Sequence, residues 1–373
     1  MKRPVYIVCG GTGGHLAPGI ATAQRFLDRG VPVELIISEK EVDSRLLQSY
    51  PEIPYIRAKG SPFGWTPFRL ARFLFNSVLG GLQSLRLLGT NQPSALIAFG
   101  GYLSFSFVMS AWFQRVPVIL HEANRKVGKS IKTLAGMADR VYLPEGVVLP
   151  GVEPRRLRRI GMPLRKEVRH LKKSEIRGLL GVPAHAKVLT VVGGSQGALA
   201  LNEWVERHRQ ALASEGIWIN LVAGPGKKIL PDLESFQSGN GEPVEVRTYA
   251  FHRSLHELFC ASDLVISRAG AGTIAELVAC LTPSILIPYP HAADRHQLAN
   301  AQDLEVRGGC VVVPQEKLET LLDEVMDMMY NDWMLGRMRN NLRKLIHEDP
   351  AEVIVEYVTR TCVFSQQGED RPQ

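Results

Sequence analysis

Two glycines, a threonine and a carboxylate packed into residues 267–300 (SRAGAGTIAELVACLTPSILIPYPHAADRHQLAN) make this the stretch of the chain best equipped for chemistry. Leu264, Val265 and Ile266 predict a short buried strand, and residues 269–273 open a helix that Pro283 closes. Such a helix start leaves backbone N–H groups without intrahelical partners and carries partial positive charge, so it can hold phosphate without a metal. Gly270 and Gly272 permit close approach. Glu276 follows Thr273 by one turn, where its carboxylate can accept hydrogen bonds from two vicinal hydroxyls such as those of a ribose. His291, Asp294, Arg295, His296 and Gln297 then follow a strand predicted at 284–288, at the strand end where ligands sit in open α/β sheets. An ordinary β-α-β unit would show the same glycines; the glutamate and the polar loop are what set this one apart.

The elements that must position these residues repeat along the chain. A strand at 5–9 feeds the glycine loop 10–15 and a helical pattern through Leu27, and a strand at 188–192 feeds the loop 193–197 and a helix from about Ala198. With 373 residues, 45% of them hydrophobic, two similar α/β domains are expected, with a cleft between them as the natural site. Neither glycine loop is followed by the Lys-Ser/Thr of an ATPase loop, and neither matches a dinucleotide fingerprint with its acidic ribose ligand. A further strand at 116–121 ends in His121, Glu122, Ala123 and Asn124, an imidazole, an acid and an amide where the cleft should be; each could equally cap the next element. In 161–165 (GMPLR) a turn should place Arg165 at the mouth of the second domain.

Lysine and arginine outnumber aspartate and glutamate by 44 to 37, and the excess is uneven: no acidic residue occurs from Ile53 to His121, against Arg57, Lys59, Arg69, Arg72, Arg86 and Arg115. Residues 63–88 read as an amphipathic helix that could rest on an anionic membrane surface or cover its own sheet. The uncharged run 91–114 is long enough to span a bilayer, but Gly100, Gly101 and three serines argue for a strand at 96–99, a loop and a helix at 104–113. The basic run 153–177 lacks interleaved aromatics and reads as an interdomain linker, with no nucleic-acid partner expected. The cysteines, at 9, 260, 280, 310 and 362, suggest neither disulfides nor zinc. The apolar run after Met1-Lys2-Arg3 is too short for a signal peptide.

Taken together, GGTGGH at 10–15, GGY at 100–102, HEAN at 121–124, GMPLR at 161–165, GGSQGA at 193–198, RAGAGTIAE at 268–276 and DRHQ at 294–297 resemble the MurG family of UDP-N-acetylglucosamine transferases. The apolar spacing at 351–364 reads as an amphipathic helix and 365–373 as a disordered tail; the resemblance implies a GT-B fold, α/β, of two Rossmann-like domains at 1–160 and 161–345, with that helix returning to the first. It implies an inverting, metal-independent transfer without a cofactor, from UDP-N-acetylglucosamine to an undecaprenyl-linked muramyl-peptide, at the cytoplasmic face of the plasma membrane. It assigns Arg165 and Ser195 to the diphosphate and the run Ala271, Gly272, Thr273, Ile274, Ala275 and Glu276 to the donor, the first three at the phosphates and Glu276 on the ribose. The backbone near His252 would face uracil, and Asn124, Asn202 and Gln297 the sugar. Thr12, Gly13 and Gly14 would receive the acceptor's pyrophosphate, with the loop 100–102. His15 is the expected general base, with Glu122 as competitor and a structural role for His15 left open. Ala123, Met162 and His296 depart from the family's usual glutamine, asparagine and glutamine. Another UDP-sugar lipid transferase, a dinucleotide-dependent oxidoreductase and a noncatalytic nucleotide-sugar module are the alternatives.

Overall fold

Apolar runs too short to make helices become strands buried on both faces, as parallel sheets require: Val5–Val8, Ala95–Ala98 and Leu264–Ser267 are buried at every position. The computed structural model describes residues 3–10, 13–39, 46–60, 67–194, 197–227 and 229–363, with backbone alone at 13, 67–75 and 77. Thr12, Ser195 and the tail expected at 365–373 lie outside the described residues.

The chain divides into two units, Met1–Lys166 with Glu348–Gln373, and Glu167–His347. In unit 1, β1 (Val5–Val8), β2 (Val33–Ser38), β3 (Tyr55–Ala58), β4 (Ala95–Ala98), β5 (Val118–His121), β6 (Arg140–Leu143) and β7 (Leu157–Arg159) form one parallel sheet in the order β3-β2-β1-β4-β5-β6-β7. The helices α1 (Gly13–Asp28), α2 (Pro67–Asn91), α3 (Leu103–Phe113) and α4 (Lys129–Leu134) make its crossovers. Strand order reverses between β1 and β4, and β2 and β4 flank β1, both registered on Val5 to Val8.

In unit 2 the sheet runs β10 (Leu233–Gln237), β11 (Pro243–Tyr249), β9 (Ile217–Val222), β8 (Lys187–Val192), β12 (Leu264–Ser267), β13 (Ser284–Leu286) and β14 (Cys310–Val312); only the β10–β11 pair at the edge is antiparallel. Helices α5 (Lys173–Leu180), α6 (Leu199–Ser214), α7 (Leu255–Ala261), α8 (Ala271–Cys280), α9 (His296–Val306), α10 (Leu321–Met329) and α11 (Asp332–Arg343) flank it. Here the order reverses between β8 and β12.

The chain then returns to unit 1. Asp349 caps α12 (Pro350–Val358) by accepting from the Ala351 N–H, Pro350 fills the first turn, and Val353, Ile354, Val355 and Val358 are buried in the unit 1 core beside α1. Arg25 on α1 donates to Asp349 at 2.8 Å. The helix expected over 351–364 ends sooner, passing at Thr359 into a short π-turn through Val363.

Two sequence readings change. The basic run 153–177 is not a linker throughout: it supplies edge strand β7 and the start of α5, where Arg177 is buried and paired with Asp263 at 2.8 Å. Residues 161–166 belong to unit 1, where Arg165 is buried and donates to the Tyr50 hydroxyl at 3.1 Å. The uncharged run 91–114 is divided as expected between β4 and α3, and no helix among the described residues is long and apolar enough to cross a membrane.

Candidate active site

In open α/β sheets, ligands bind where strand order reverses, beyond the C-terminal strand ends. In unit 2 those ends belong to β8 and β12. β12 runs through Arg268, Ala269 and Gly270 into α8, and no side chain caps that helix, which leaves the N–H groups of its first turn to a ligand. Glu276, 9% exposed, lies one turn inside. Several side chains hold this corner. Arg268 is buried and donates to the Ile287 carbonyl at 3.1 Å and to Gln315 Oε1 at 2.5 Å; burial lowers its pKa. Asn300, buried on α9, donates to the Ala269 carbonyl at 3.2 Å, and Gln297 Oε1 accepts from the Tyr289 N–H at 2.9 Å.

The β8 loop is built on close approach. A Cβ on Gly193 would lie 2.1 Å from the Ala198 nitrogen, and one on Gly197, at φ +67°, 2.2 Å from the Ala223 oxygen. Asn202 on α6 is fully buried, and its amide donates to the Ala223 and Lys227 carbonyls, both at 3.0 Å. Its visible work is to hold the turn after β9. The Lys227 ammonium in turn donates to the Gly197 carbonyl at 3.3 Å. His252 sits edge-on to Tyr249 at 5.0 Å, and burial lowers its pKa.

In unit 1 the corresponding corner lies between β1 and β4. Gly10 packs so tightly against β2 that a Cβ would stand 2.2 Å from the Ser38 nitrogen. After β4, Gly100 and Gly101 take φ of +94° and +83°, and the His15 imidazole lies over them, 3.3 Å from where a Gly101 Cβ would stand. Ser104 fixes the turn by donating to the Gly100 carbonyl at 2.6 Å. Gly14, exposed, stands at the same end of α1 as His15; Gly13 is the first residue of that helix.

One strand over, Glu122 is buried. Its Oε1 accepts from the Asn124 backbone and side-chain N–H groups, both at 2.9 Å, and its Oε2 from the Gly128 N–H at 2.6 Å. Buried His121 donates its Nε2–H to the Gly161 carbonyl at 2.9 Å and packs against Phe99; burial lowers its pKa.

The structure therefore gathers Ala271, Gly272, Thr273, Ile274, Ala275, Glu276, Gln297, Asn202 and His252 at the C-terminal rim of one sheet, and Gly13, Gly14, His15, Glu122 and Asn124 at that of the other. Arg268 and Asn300 escaped the sequence reading as site supports. Asn300 stands one helical turn after Gln297, a spacing that could have found it; Arg268 carries no such signal.

Comparison with known proteins gives a consistent picture. Residues 5–143 match the glycosyltransferase family 28 N-terminal domain and residues 188–354 the family 28 C-terminal domain. A protein of Opitutus terrae named UDP-N-acetylglucosamine–N-acetylmuramyl-(pentapeptide) pyrophosphoryl-undecaprenol N-acetylglucosamine transferase is 44% identical, over 95% of each chain. The crystal structure of Acinetobacter baumannii MurG superposes with a TM-score of 0.70 at 21% identity, covering 97% of this chain and 100% of that one. A putative UDP-N-acetylglucosamine 2-epimerase from Listeria monocytogenes superposes with a TM-score of 0.71 at 14% identity, covering 100% and 99%. These structural likenesses establish the fold, two Rossmann-like units of the GT-B type; an epimerase shares it, so the fold alone does not specify the reaction.

Proposed function

The chain belongs to glycosyltransferase family 28, and on that premise we propose that it transfers N-acetylglucosamine from UDP-N-acetylglucosamine to an undecaprenyl-diphosphate-linked muramyl-pentapeptide. The observation that carries this reading is the uncapped start of α8 with Glu276 one turn further on, a phosphate seat and a ribose grip in one element. The Opitutus terrae relative, similar over nearly its whole length, supports the choice of donor and acceptor.

In this mechanism the donor's diphosphate lies on the N–H groups of Ala271, Gly272 and Thr273, and the backbone near His252 faces uracil. The acceptor's hydroxyl oxygen bonds to the anomeric carbon from the face opposite UDP, inverting it. The bond to the β-phosphate oxygen breaks, its electron pair leaving with UDP, and the N-terminal dipole of α8 stabilises the developing charge. His15 takes the hydroxyl proton, since a neutral imidazole accepts protons near pH 7. Glu122 suits that task less well, because both of its oxygens already accept hydrogen bonds. No metal takes part in this scheme.

We further place the protein peripherally at the cytoplasmic face of the plasma membrane. Val78 and Leu82 on α2 and Trp112 and Phe113 on α3, two helices that pack together, are exposed, Phe113 by 75%. Arg86 and Arg115 accompany them, so apolar groups can enter the headgroup layer while arginines meet lipid phosphates.

The decisive assay supplies purified protein with radiolabelled UDP-N-acetylglucosamine and the lipid-linked muramyl-pentapeptide, with EDTA present. Labelled lipid-linked disaccharide is expected. Transfer to diacylglycerol instead, or a requirement for divalent metal, would overturn the proposal.

A further inference from the structure

From Ile53 to Ala138 the chain carries ten cationic side chains and a single carboxylate, Glu122. That carboxylate does not lie among the cations as a counter-charge. It is buried, and its three hydrogen bonds to Asn124 and Gly128 draw residues 124–128 into a closed loop beyond the C-terminal end of β5. A Cβ at 128 would stand 3.3 Å from Glu122 Oε2, a tight contact that glycine avoids. The loop turns Lys126 and Lys129 to solvent, and among the described residues neither they nor Lys132 pairs with a carboxylate.

Its position matters as much as its charge. Ser130 Oγ lies 3.8 Å from the Cβ position of Gly100, in the turn under His15, and the Arg125 guanidinium comes 3.5 Å from that of Gly146, in the loop after β6. The basic loop thus spans the rim beside the corner where β1 and β4 part. The exposed Trp112 and Phe113 close α3 just before β5 begins, at the opposite end of the sheet.

Resting on the function proposed above, we propose that residues 124–128 and the first turn of α4 (129–132) complete, beside the glycine loop at 100–102, the seat of the acceptor's diphosphate, with Lys126 and Lys129 as its cations and Glu122 as the positioning residue that shapes it. Lysines act here as point charges on phosphate. Glu122 contributes by holding backbone, not by taking the acceptor's proton.

The test is a double variant, Lys126→Ala with Lys129→Ala. Loss of two charge-assisted contacts should raise the acceptor KM about tenfold or more. The donor KM and kcat should stay within about twofold of wild type, a change below 0.5 kcal/mol, and arginine at both positions should restore the acceptor KM. Glu122→Gln should raise the acceptor KM and keep the acid limb of the kcat–pH profile. An unchanged acceptor KM in the double variant would overturn the inference. So would an increase seen only with anionic vesicles and absent with a short-chain acceptor in detergent, which would assign the cations to lipid headgroups. Loss of the acid limb in Glu122→Gln with an unchanged acceptor KM would make Glu122 the base. Should wild type transfer nothing to this acceptor, the functional reading falls, and pyrophosphate titrated in the presence of saturating UDP tests the loop by itself. Weaker pyrophosphate binding in the double variant supports the loop, and equal affinity overturns it.

Discussion

At the rim of the unit 2 sheet, buried side chains tie the loops to one another: Arg268 to the carbonyls after β13, Asn300 to Ala269, Asn202 to the turn after β9. At the matching rim of unit 1 a histidine lies over two left-handed glycines, and buried Glu122 shapes a loop of cations. Both rims sit where strand order reverses, so the parallel sheet explains the place of each and not its chemistry. The difference lies in what each must meet. Loops tied to one another by buried side chains suit a nucleotide of fixed shape, whereas a cationic rim on a unit with exposed apolar helices suits a charged acceptor presented by a membrane.

The comparison breaks most readily at His15. In His15→Ala, kcat should fall by about 10²–10⁴ while UDP affinity by calorimetry stays at the wild-type value. A loss of UDP affinity as large as the loss of kcat would place the imidazole in the donor site and erase the contrast between the rims.

Asp263 tests the ties within unit 2. It is buried and accepts from Lys173, from Arg177 at 2.8 Å and from the Val188 N–H at 2.8 Å. Asp263→Asn, which leaves two cations without a counter-charge, should cost about 3–5 kcal/mol by chemical denaturation, with hydrogen exchange rising in unit 2. Exchange rising equally in unit 1 would mean that the units do not fold separately.

Glu276→Ala sharpens the donor assignment. Removing hydrogen bonds to a charged acceptor costs about 1.5–3 kcal/mol, or roughly ten- to hundredfold in donor KM, and 2′-deoxy-UDP should bind this variant as well as UDP does. Continued preference for UDP would move the ribose elsewhere.

The smallest effect expected is a difference in acid sensitivity. Burial holds His121 in unit 1 below its ordinary 6.5. Its unfolded form therefore binds the proton first, and the stability present above pH 6.5 is lost as pH falls below it. For Asp263, burial pushes upward, but Lys173, the Val188 N–H and Arg177 outweigh it and hold the carboxyl below its ordinary 3.8. Its contribution is present above that value and lost as pH falls through the folded pKa. Hydrogen exchange along a descending pH series should show protection around His121 weakening first, near pH 6, and protection around Asp263 only below about pH 4.

Much of the site was legible because glycine and proline punctuate it. Gly270, Gly272 and Pro283 mark the start and end of α8, and residue spacing alone puts Glu276 one turn from the phosphate seat. Charge was the poorer guide. Arg177 read as one more member of a basic run and is a buried partner of Asp263, and the bond from Arg165 to the Tyr50 hydroxyl had no signal in the sequence. In each case the partner lies some 86 or 115 residues away, beyond any local pattern.

By itself, then, the amino-acid order determined the strands, the glycine turns that feed helices and the two-fold recurrence of that unit, since backbone conformation and apolar periodicity are local properties. Tertiary structure alone decided which polar groups face a ligand and which serve the scaffold. Asn202 and Glu122 look equally available on paper, but sheet order brings the Ala223 carbonyl of another loop within 3.0 Å of Asn202, while Glu122, buried at the end of β5, turns onto N–H groups of its own loop, and a buried polar group takes the partner it is given.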